Sequence, residues 1–228
     1  LVPFARLLGL KVVSTNHGPD YDRQKWNRLA KFMLEVGERV GALYSHKVIV
    51  ISTVIKDILK NKYSAESTLI YNGIAHKKSI EPGEYLASLG LEKGSYIVAV
   101  GRFVEEKGFH DLIAAMPSLK QSGIKLVLVG DSDHSTTYSK TLKELAVSNG
   151  VILTGFIKGE RLIEVFCNAK LFVMPSYHEG LPIALLEALD FQIPVLVSNI
   201  PANLAVGLDK DDYFNLGDLQ DLTGGIER

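Results

Sequence analysis

The stretch that decides the fold is Tyr177-His178-Glu179-Gly180-Leu181-Pro182-Ile183-Ala184-Leu185-Leu186-Glu187-Ala188-Leu189. It follows the apolar run 171–174, which is typical of a buried strand. Pro182 suits the first turn of a helix, because its missing N–H would have no partner there. The stretch therefore predicts a strand, a glycine-bearing loop and a helix. The free N–H groups and the dipole at such a helix start favour a phosphate.

Two glutamates add chemistry to this helix start. Glu179 precedes the helix, and Glu187 lies about 7 to 8 Å along its axis from Pro182, with a side chain that leans back toward the N-terminus. Carboxylates accept hydrogen bonds from sugar hydroxyls, so a diphosphate at the turn with both acids around it would suit a nucleotide sugar. The alternative is an ordinary helix with an acid that interacts with the dipole and a solvated glutamate.

Composition restricts the class of protein. The chain has 228 residues, of which 46% are hydrophobic and 22% charged, and a net charge of −1, so it is globular and no electrostatic argument favours nucleic acid. A single cysteine, Cys167, excludes an intramolecular disulfide and fits a reducing compartment, so we predict a cytoplasmic location. The sequence contains no run of 18 apolar residues and no signal peptide. A start without methionine and an abrupt end suggest a fragment.

The order of apolar runs and helical patterns predicts an α/β fold. Strand patterns at 11–15, 47–51 and 68–71 alternate with helical patterns and end at the turn Asn72-Gly73. The pattern breaks around Glu81, so we predict two domains, 1–80 and 81–228. The second domain has five strand patterns joined by four helices, which predicts a Rossmann-like doubly wound parallel sheet. Its strands are predicted at 97–100, 126–129, 151–153, 171–174 and 195–197.

Polar loops follow these strands, at the sheet edge where such folds bind ligands. Gly101 permits a tight turn, and Arg102 with Lys107 can clamp a diphosphate. Cations placed there would stabilise the charge that develops on a leaving diphosphate. The alternative is a solvated loop with mixed charges.

Three further features leave alternatives open. The Asp131-Ser132-Asp133 loop resembles a divalent-metal pattern, but no further ligands are evident, so we predict that it shapes a pocket and that there is no metal site. Phe156 is either a core residue or a stacking platform for a base. His17 either caps a turn or faces a donor sugar. Nucleophile-elbow, dinucleotide and Walker A patterns are absent from the sequence, which argues against NAD.

Together these residues resemble the GT-B-fold retaining glycosyltransferases of family four. Glu179 and Glu187 match that family's paired glutamates, and Gly101-Arg102 with 106–108 matches its diphosphate-binding loop. Asn72-Gly73-Ile74 resembles its domain-junction motif. The resemblance implies two Rossmann-like domains, with the donor on the second and the acceptor on the first, and retention without a metal or other cofactor.

The resemblance also implies roles for individual residues. Arg102 and Lys107 would hold the diphosphate, Glu179 the donor sugar and Glu187 the ribose hydroxyls, and His17 matches the family's His-Gly motif near the transferred sugar. The residues predicted to act in catalysis are His17, Arg102, Lys107 and Glu179. Those predicted to bind the donor are Gly101, Arg102, Lys107, Phe156, Glu179, Gly180, Leu181 and Glu187.

We therefore predict a hexosyltransferase-type enzyme that moves a sugar from a UDP-, GDP- or dTDP-sugar to a glycan or lipid-linked acceptor in bacterial surface polysaccharide synthesis. Two rivals remain: a nucleotide-sugar binding fragment without turnover, and a GT-B-fold sugar-nucleotide epimerase. The family's first domain has a glycine-rich loop and further strands before its His-Gly motif. This chain lacks them, so its first domain is expected to be incomplete and its activity alone stays open.

A basic segment follows His17. Arg23, Lys25, Arg28 and Lys31, with Trp26 among them, form either a solvated helix face or a surface for an anionic lipid or a pyrophosphate-linked acceptor. The latter would place the protein peripherally at the inner face of the membrane. Residues 23–26 also resemble family members that build bacterial surface polysaccharides.

Overall fold

The computed structural model describes residues 1–19, 21, 26–119 and 122–228, which divide into two units, Leu1–Gly73 and Ile74–Arg228. Arg23 and Lys25 of the basic segment lie outside the described residues. Among the described helices, none combines the length and the apolar character that crossing a bilayer requires.

In its described part, the first unit is a parallel sheet with strand order β1-β2-β3, flanked by helices. Asn27 and Ser52 begin the second and third helices, and each side chain accepts a hydrogen bond from a backbone N–H of the first turn. The strands are β1 (Val13–Asn16), β2 (Lys47–Val50) and β3 (Thr68–Leu69), and the helices are α1 (Val2–Leu7), α2 (Arg28–Tyr44) and α3 (Thr53–Tyr63).

The two longer helices of this unit differ in burial. In α3, Ile55 and Leu59 are buried. They are four residues apart and therefore lie on the same face of the helix. The apolar face of α2 is uncovered in the described structure, where Leu29 is 68% and Met33 65% exposed. The helical spacing of apolar residues in this segment corresponds to a helix, as expected. However, none of the residues of α2 is buried in this unit.

The second unit is a six-stranded, wholly parallel sheet with the order β6-β5-β4-β7-β8-β9. Its strands are β4 (Tyr96–Val100), β5 (Lys125–Val129), β6 (Ile152–Gly155), β7 (Leu171–Met174), β8 (Val195–Ser198) and β9 (Tyr213–Phe214). Its helices are α4 (Glu84–Ser88), α5 (Phe109–Ala115), α6 (Thr137–Ser148), α7 (Glu160–Cys167), α8 (Ile183–Asp190), α9 (Pro201–Leu204) and α10 (Leu219–Glu227).

The strand order reverses between β4 and β7. The chain continues from β4 to β5 and β6 on one side, whereas β7, β8 and β9 extend the sheet on the other. Loops that leave such neighbouring strands diverge, so a crevice opens at their carboxyl ends. The loops after β4 and β7 are those in which the sequence places Arg102 and Glu179.

Side chains of β4 alternate between two hydrophobic cores. Ile97 and Ala99 pack on the face covered by α5, whereas Tyr96 and Val98 pack on the face covered by α7 and α8. Burial on both faces explains why this strand reads as a continuous apolar run. The predicted strands of the second domain are confirmed, and the structure adds β9.

The second unit begins at Ile74, whereas the sequence placed the boundary at residue 81. Residues 74–83 form neither helix nor strand, yet they bond to the second unit. The Ile80 carbonyl accepts from Asn168 Nδ2 at 3.1 Å, and Gly83 N donates to Glu164 Oε1 at 2.7 Å. The Glu-Pro-Gly break therefore lies at the entry to α4.

Helix α8 starts one residue later than predicted. Pro182 has the non-helical angles φ −80° and ψ 77° and precedes the first helical residue, Ile183. Its carbonyl oxygen accepts hydrogen bonds from Leu185 N at 3.0 Å and Leu186 N at 3.1 Å. Pro182 is thus the N-cap residue of α8. Its missing N–H costs nothing at this position, because an N–H there would have no acceptor within the helix.

Candidate functional site

Two glycines bring the loops at the sheet edge into backbone contact. Gly108 has a φ of +65°, and a Cβ there would overlap the carbonyl oxygen of Pro175, the first residue after β7. Gly130 has a φ of +130°, and a Cβ there would overlap the carbonyl oxygen of Gly101. Only glycine supports both the backbone conformation and the close approach. The loops after β4, β5 and β7 consequently form one surface.

Lys107 and Glu179 meet at the centre of this surface. Lys107 Nζ donates to Glu179 Oε1 at 2.6 Å, and Ser176 Oγ donates to the same oxygen at 2.7 Å. The side chains of Lys107 and Glu179 are 20% and 9% exposed. The Lys107 stem lies over Gly101, which leaves room for it because it has no side chain. The pair is therefore largely shielded from water but open on one side.

Buried polar residues support Glu179 from below. Ser198 Oγ donates to the Ser176 carbonyl at 2.6 Å, and Asn203 Nδ2 donates to the Ser198 carbonyl at 2.9 Å. All three residues are buried. Sequence analysis missed this chain of hydrogen bonds, although Ser176 and Ser198 stand at the carboxyl ends of β7 and β8, where a small polar residue in an apolar run is a usable signal.

Tyr177 joins the two central loops. Its backbone N–H donates to the Glu106 carbonyl at 2.8 Å, and its hydroxyl donates to Asp111 Oδ2 at 2.7 Å. Its ring stacks on His110 with 5.9 Å between centroids. The hydrogen bond to the Asp111 carboxylate, together with partial burial, raises the pKa of Tyr177 to about 12. The tyrosine is thus a fixed hydrogen-bond donor that fastens the loop before Glu179.

A pocket of about 390 Å³ opens beside Arg102. Arg102 donates to Asp133 Oδ2 at 3.0 Å at its rim. Phe156 is 78% exposed and lines the pocket, so its interpretation as a core residue is wrong. The pocket is lined by Val100, Gly101, Arg102, Val129, Gly130, Asp131, Ser132, Asp133, Phe156, Ile157 and Leu162.

Both acids of the Asp131-Ser132-Asp133 loop already have basic partners. Lys143 Nζ lies 2.6 Å from Asp131 Oδ1, and Arg102 holds Asp133. The hydrogen bond from Lys143, followed by that from the Ser132 backbone, lowers the pKa of Asp131. Among the described residues, no group of three or more histidine, cysteine, aspartate or glutamate side chains could hold a metal ion.

Glu187 lies on α8, the helix that follows Glu179. Its Oε1 atom accepts a hydrogen bond from Lys77 Nζ at 2.7 Å, and the two side chains are 20% and 33% exposed. Ahead of α8, the N–H groups of Gly180 and Leu181 find no acceptor in the described part of the chain. These groups are free to bind an anion at the positive end of the helix.

His17 belongs to the first unit. It is exposed and lines a pocket of about 370 Å³ together with Asn16, Tyr21 and Glu38. The Glu38 side chain, 6% exposed, accepts hydrogen bonds from Tyr21 at 3.1 Å and Tyr63 at 2.9 Å. The structure thus places Gly101, Arg102, Lys107, Phe156, Glu179, Gly180, Leu181 and Glu187 in the second unit and His17 in a pocket of the first.

Comparison with known proteins supports a common origin for this chain and sugar-transferring enzymes. The sequence profile described as "Glycosyl transferases group 1" matches residues 84–211. An uncharacterized glycosyltransferase of Methanocaldococcus jannaschii is 29% identical over 174 residues, covering 72% of this chain and 45% of that protein. The putative teichuronic acid biosynthesis glycosyltransferase TuaC of Bacillus subtilis is 37% identical over 103 residues, covering 45% and 24%. The chain spans less than half the length of either relative.

The solved structures confirm the fold class. The crystal structure of Anabaena HepE in complex with UDP and glucose has a TM-score of 0.81 with 19% identity, covering 99% of this chain and 63% of that one. The chain accordingly has an α/β fold of the GT-B type, built from Rossmann-like units with parallel sheets.

Proposed function

The chain belongs to the glycosyl transferases group 1 family, and we propose that its second unit binds the nucleotide-sugar donor of a retaining hexosyltransferase. The acceptor would be a glycan or a lipid-linked glycan in bacterial surface polysaccharide synthesis, in keeping with the name of TuaC. Glu179, Lys107 and the N-terminus of α8 carry this proposal, because they combine a sugar-binding acid, a cation and free N–H groups in one crevice.

The diphosphate would lie between Lys107, Arg102 and the N–H groups of Gly180 and Leu181. Lysine has three donors, so Lys107 can keep Glu179 and still reach a phosphate oxygen. Its ammonium group is fixed before the donor arrives, so little reorganisation is needed when charge develops on the leaving diphosphate. Arg102 and Lys107 would thereby stabilise the transition state.

Glu179 would accept hydroxyl groups of the donor sugar, and Glu187 those of the ribose. Glu179 is held by Ser176 and Lys107 through one oxygen, Oε1, which leaves Oε2 for the sugar. The apolar wall of the pocket next to Arg102, with the exposed ring of Phe156, suits the nucleobase.

The first unit would contribute the acceptor side. His17 is proposed to lie near the transferred sugar because it matches the family's His-Gly motif and lines a pocket together with Asn16 and Glu38. We also propose peripheral contact with an anionic membrane for α2, on which exposed Leu29, Phe32 and Met33 accompany Arg28 and Lys31.

Titration calorimetry of this chain with UDP, GDP, dTDP and ADP tests the proposal. Binding of at least one nucleoside diphosphate is expected, together with at least tenfold weaker binding in Lys107→Met. Lys170→Met should leave the binding unchanged, because Lys170 is exposed and precedes β7, at the opposite edge of the sheet. Failure of all four diphosphates to bind would refute the donor site. Turnover assays with a nucleotide sugar distinguish the transferase from its two rivals. An epimerase would isomerise the sugar without an acceptor, whereas a binding fragment would release no nucleoside diphosphate even when an acceptor is present.

A further inference from the structure

The segment that follows Gly73 is fastened to α8 by three polar contacts. Lys77 Nζ donates to Glu187 Oε1 at 2.7 Å, and Lys77 N donates to Asp190 Oδ2 at 3.2 Å. His76 Nδ1 lies 2.8 Å from Asp190 Oδ1. Glu187 and Asp190 are three residues apart and therefore share one face of the helix. The segment is thus fixed both by its backbone and by the charge of Lys77.

Lys77 differs from the lysine next to it. The Lys77 side chain is 33% exposed and directed onto α8, whereas Lys78 is exposed and has no ion-pair partner among the described residues. The contact joins residues 110 positions apart. The hydrogen bond from the Lys77 backbone to Asp190 fixes the position from which the Lys77 side chain reaches Glu187.

We propose that Lys77 is a positioning residue for the ribose of the donor, acting through Glu187. This inference rests on the proposed function, in which Glu187 accepts the ribose hydroxyls. A carboxylate has two oxygens with about four acceptor sites, and Lys77 occupies one of them on Oε1. The remaining sites can accept two hydroxyl groups, while the fixed ammonium group keeps the carboxylate from rotating away.

Loss of the ammonium group leaves Glu187 free to adopt other rotamers, and ordering it again costs free energy at the moment the ribose binds. The effect is confined to ligands that carry the hydroxyl groups Glu187 recognises. A merely structural role for Lys77, as a fastener of residues 74–83, would instead weaken the binding of all nucleotides to the same degree or lower the melting temperature alone.

The test compares ribonucleotides with their 2′,3′-dideoxy analogues, which lack both ribose hydroxyl groups. Titration calorimetry with UDP, GDP and ADP, each paired with its dideoxy analogue, identifies the preferred base and gives the ribose preference of the unaltered chain. In Lys77→Met, the ribonucleotide is expected to bind five- to tenfold more weakly, and the dideoxynucleotide to change less than twofold. Lys78→Met is the matched control and should keep both affinities.

Two further variants secure the interpretation. Lys77→Arg retains the positive charge and is expected to keep most of the ribose preference. This variant tests the role of the charge if Lys77→Met proves too unstable to measure. In a Glu187→Gln background, Lys77→Met should have no further effect on ribonucleotide binding. Equal losses for both members of a pair, or no loss for either, would overturn the positioning role. Absence of binding by the unaltered chain would instead overturn the donor site itself, and the inference with it.

Discussion

Lys107 Nζ lies 2.6 Å from Glu179 Oε1, although the two residues belong to loops that follow different strands, β4 and β7. The strands are neighbours in the sheet because the chain order reverses there. The pair therefore lies in the crevice that this topology creates, where each group is the other's ion-pair partner. In the proposed site, a donor would share Lys107 with Glu179.

Substitutions of the two residues should have different effects on donor binding. Lys107→Met removes the cation, so both UDP and UDP-glucose should bind at least tenfold more weakly. Glu179→Gln removes the negative charge beside the diphosphate but also a sugar acceptor, so UDP should bind as well as before or more tightly while the advantage of UDP-glucose over UDP disappears. Calorimetry with both ligands measures the difference. Parallel losses of UDP and UDP-glucose affinity in Glu179→Gln would disprove the sugar contact.

The close approach at Gly108 gives a prediction about stability. Gly108→Ala places a Cβ on the Pro175 carbonyl in a left-handed conformation, so the free energy of unfolding should fall by more than about 3 kcal/mol. Gly150→Ala is the matched control, because its φ of +70° is similar but nothing lies within 4 Å of the added Cβ. That change should cost about 1 to 2 kcal/mol, the backbone term alone. Urea unfolding compares the two, and equal costs would show that the loop moves to avoid the overlap.

The Asp131–Lys143 pair gives a prediction about pH. The pKa of Asp131 is lowered below 3.8 in the folded chain, so its stabilising contribution is complete above the unfolded value and is lost as the pH falls through the folded one. The difference in unfolding free energy between wild type and Lys143→Met should thus be constant above about pH 5 and shrink below about pH 4. Because both side chains are more than a third exposed, it should stay below about 1 kcal/mol. Urea unfolding at pH 6, 4 and 3 measures this difference, with Lys140→Met as the control. If the difference between wild type and Lys143→Met were the same at all three pH values, the pair would not contribute through the charge of Asp131.

The parts of the fold that could be predicted from sequence are those with local signals. β4 is buried on both faces and therefore reads as a short apolar run, and the alternation of such runs with helical patterns is characteristic of a parallel sheet. Because ligands bind at the carboxyl ends of such strands, the loops with Arg102, Lys107 and Glu179 could be assigned to one edge without coordinates.

The remaining features depend on contacts between distant parts of the chain. Phe156 has the residue type of a core position, and only its place at the end of β6 leaves it exposed. Lys77 is one of two adjacent lysines, and nothing local distinguishes the one that reaches Glu187. Hydrogen bonds to Asp190 of α8 and to Asn168 at the end of α7 attach the segment 74–83 to the second unit. Such bonds between distant residues leave no pattern in the sequence.

The buried hydrogen bonds beneath Glu179 give the last prediction. Asn203→Ala should reduce the free energy of unfolding by about 2 to 3 kcal/mol, because it leaves the Ser198 carbonyl unpaired in the interior. If the hydrogen bonds through Ser198 and Ser176 orient Glu179, the same change and Ser176→Ala should both weaken UDP-glucose binding several-fold while UDP binding changes less than twofold. Asn149→Ala, which loses a hydrogen bond to the Leu145 carbonyl at the end of α6, is the control for stability without an effect on binding. Unfolding by urea and calorimetry with both ligands separate the two effects. A loss of stability in Asn203→Ala with unaltered UDP-glucose affinity would mean that Glu179 is oriented by Lys107 alone.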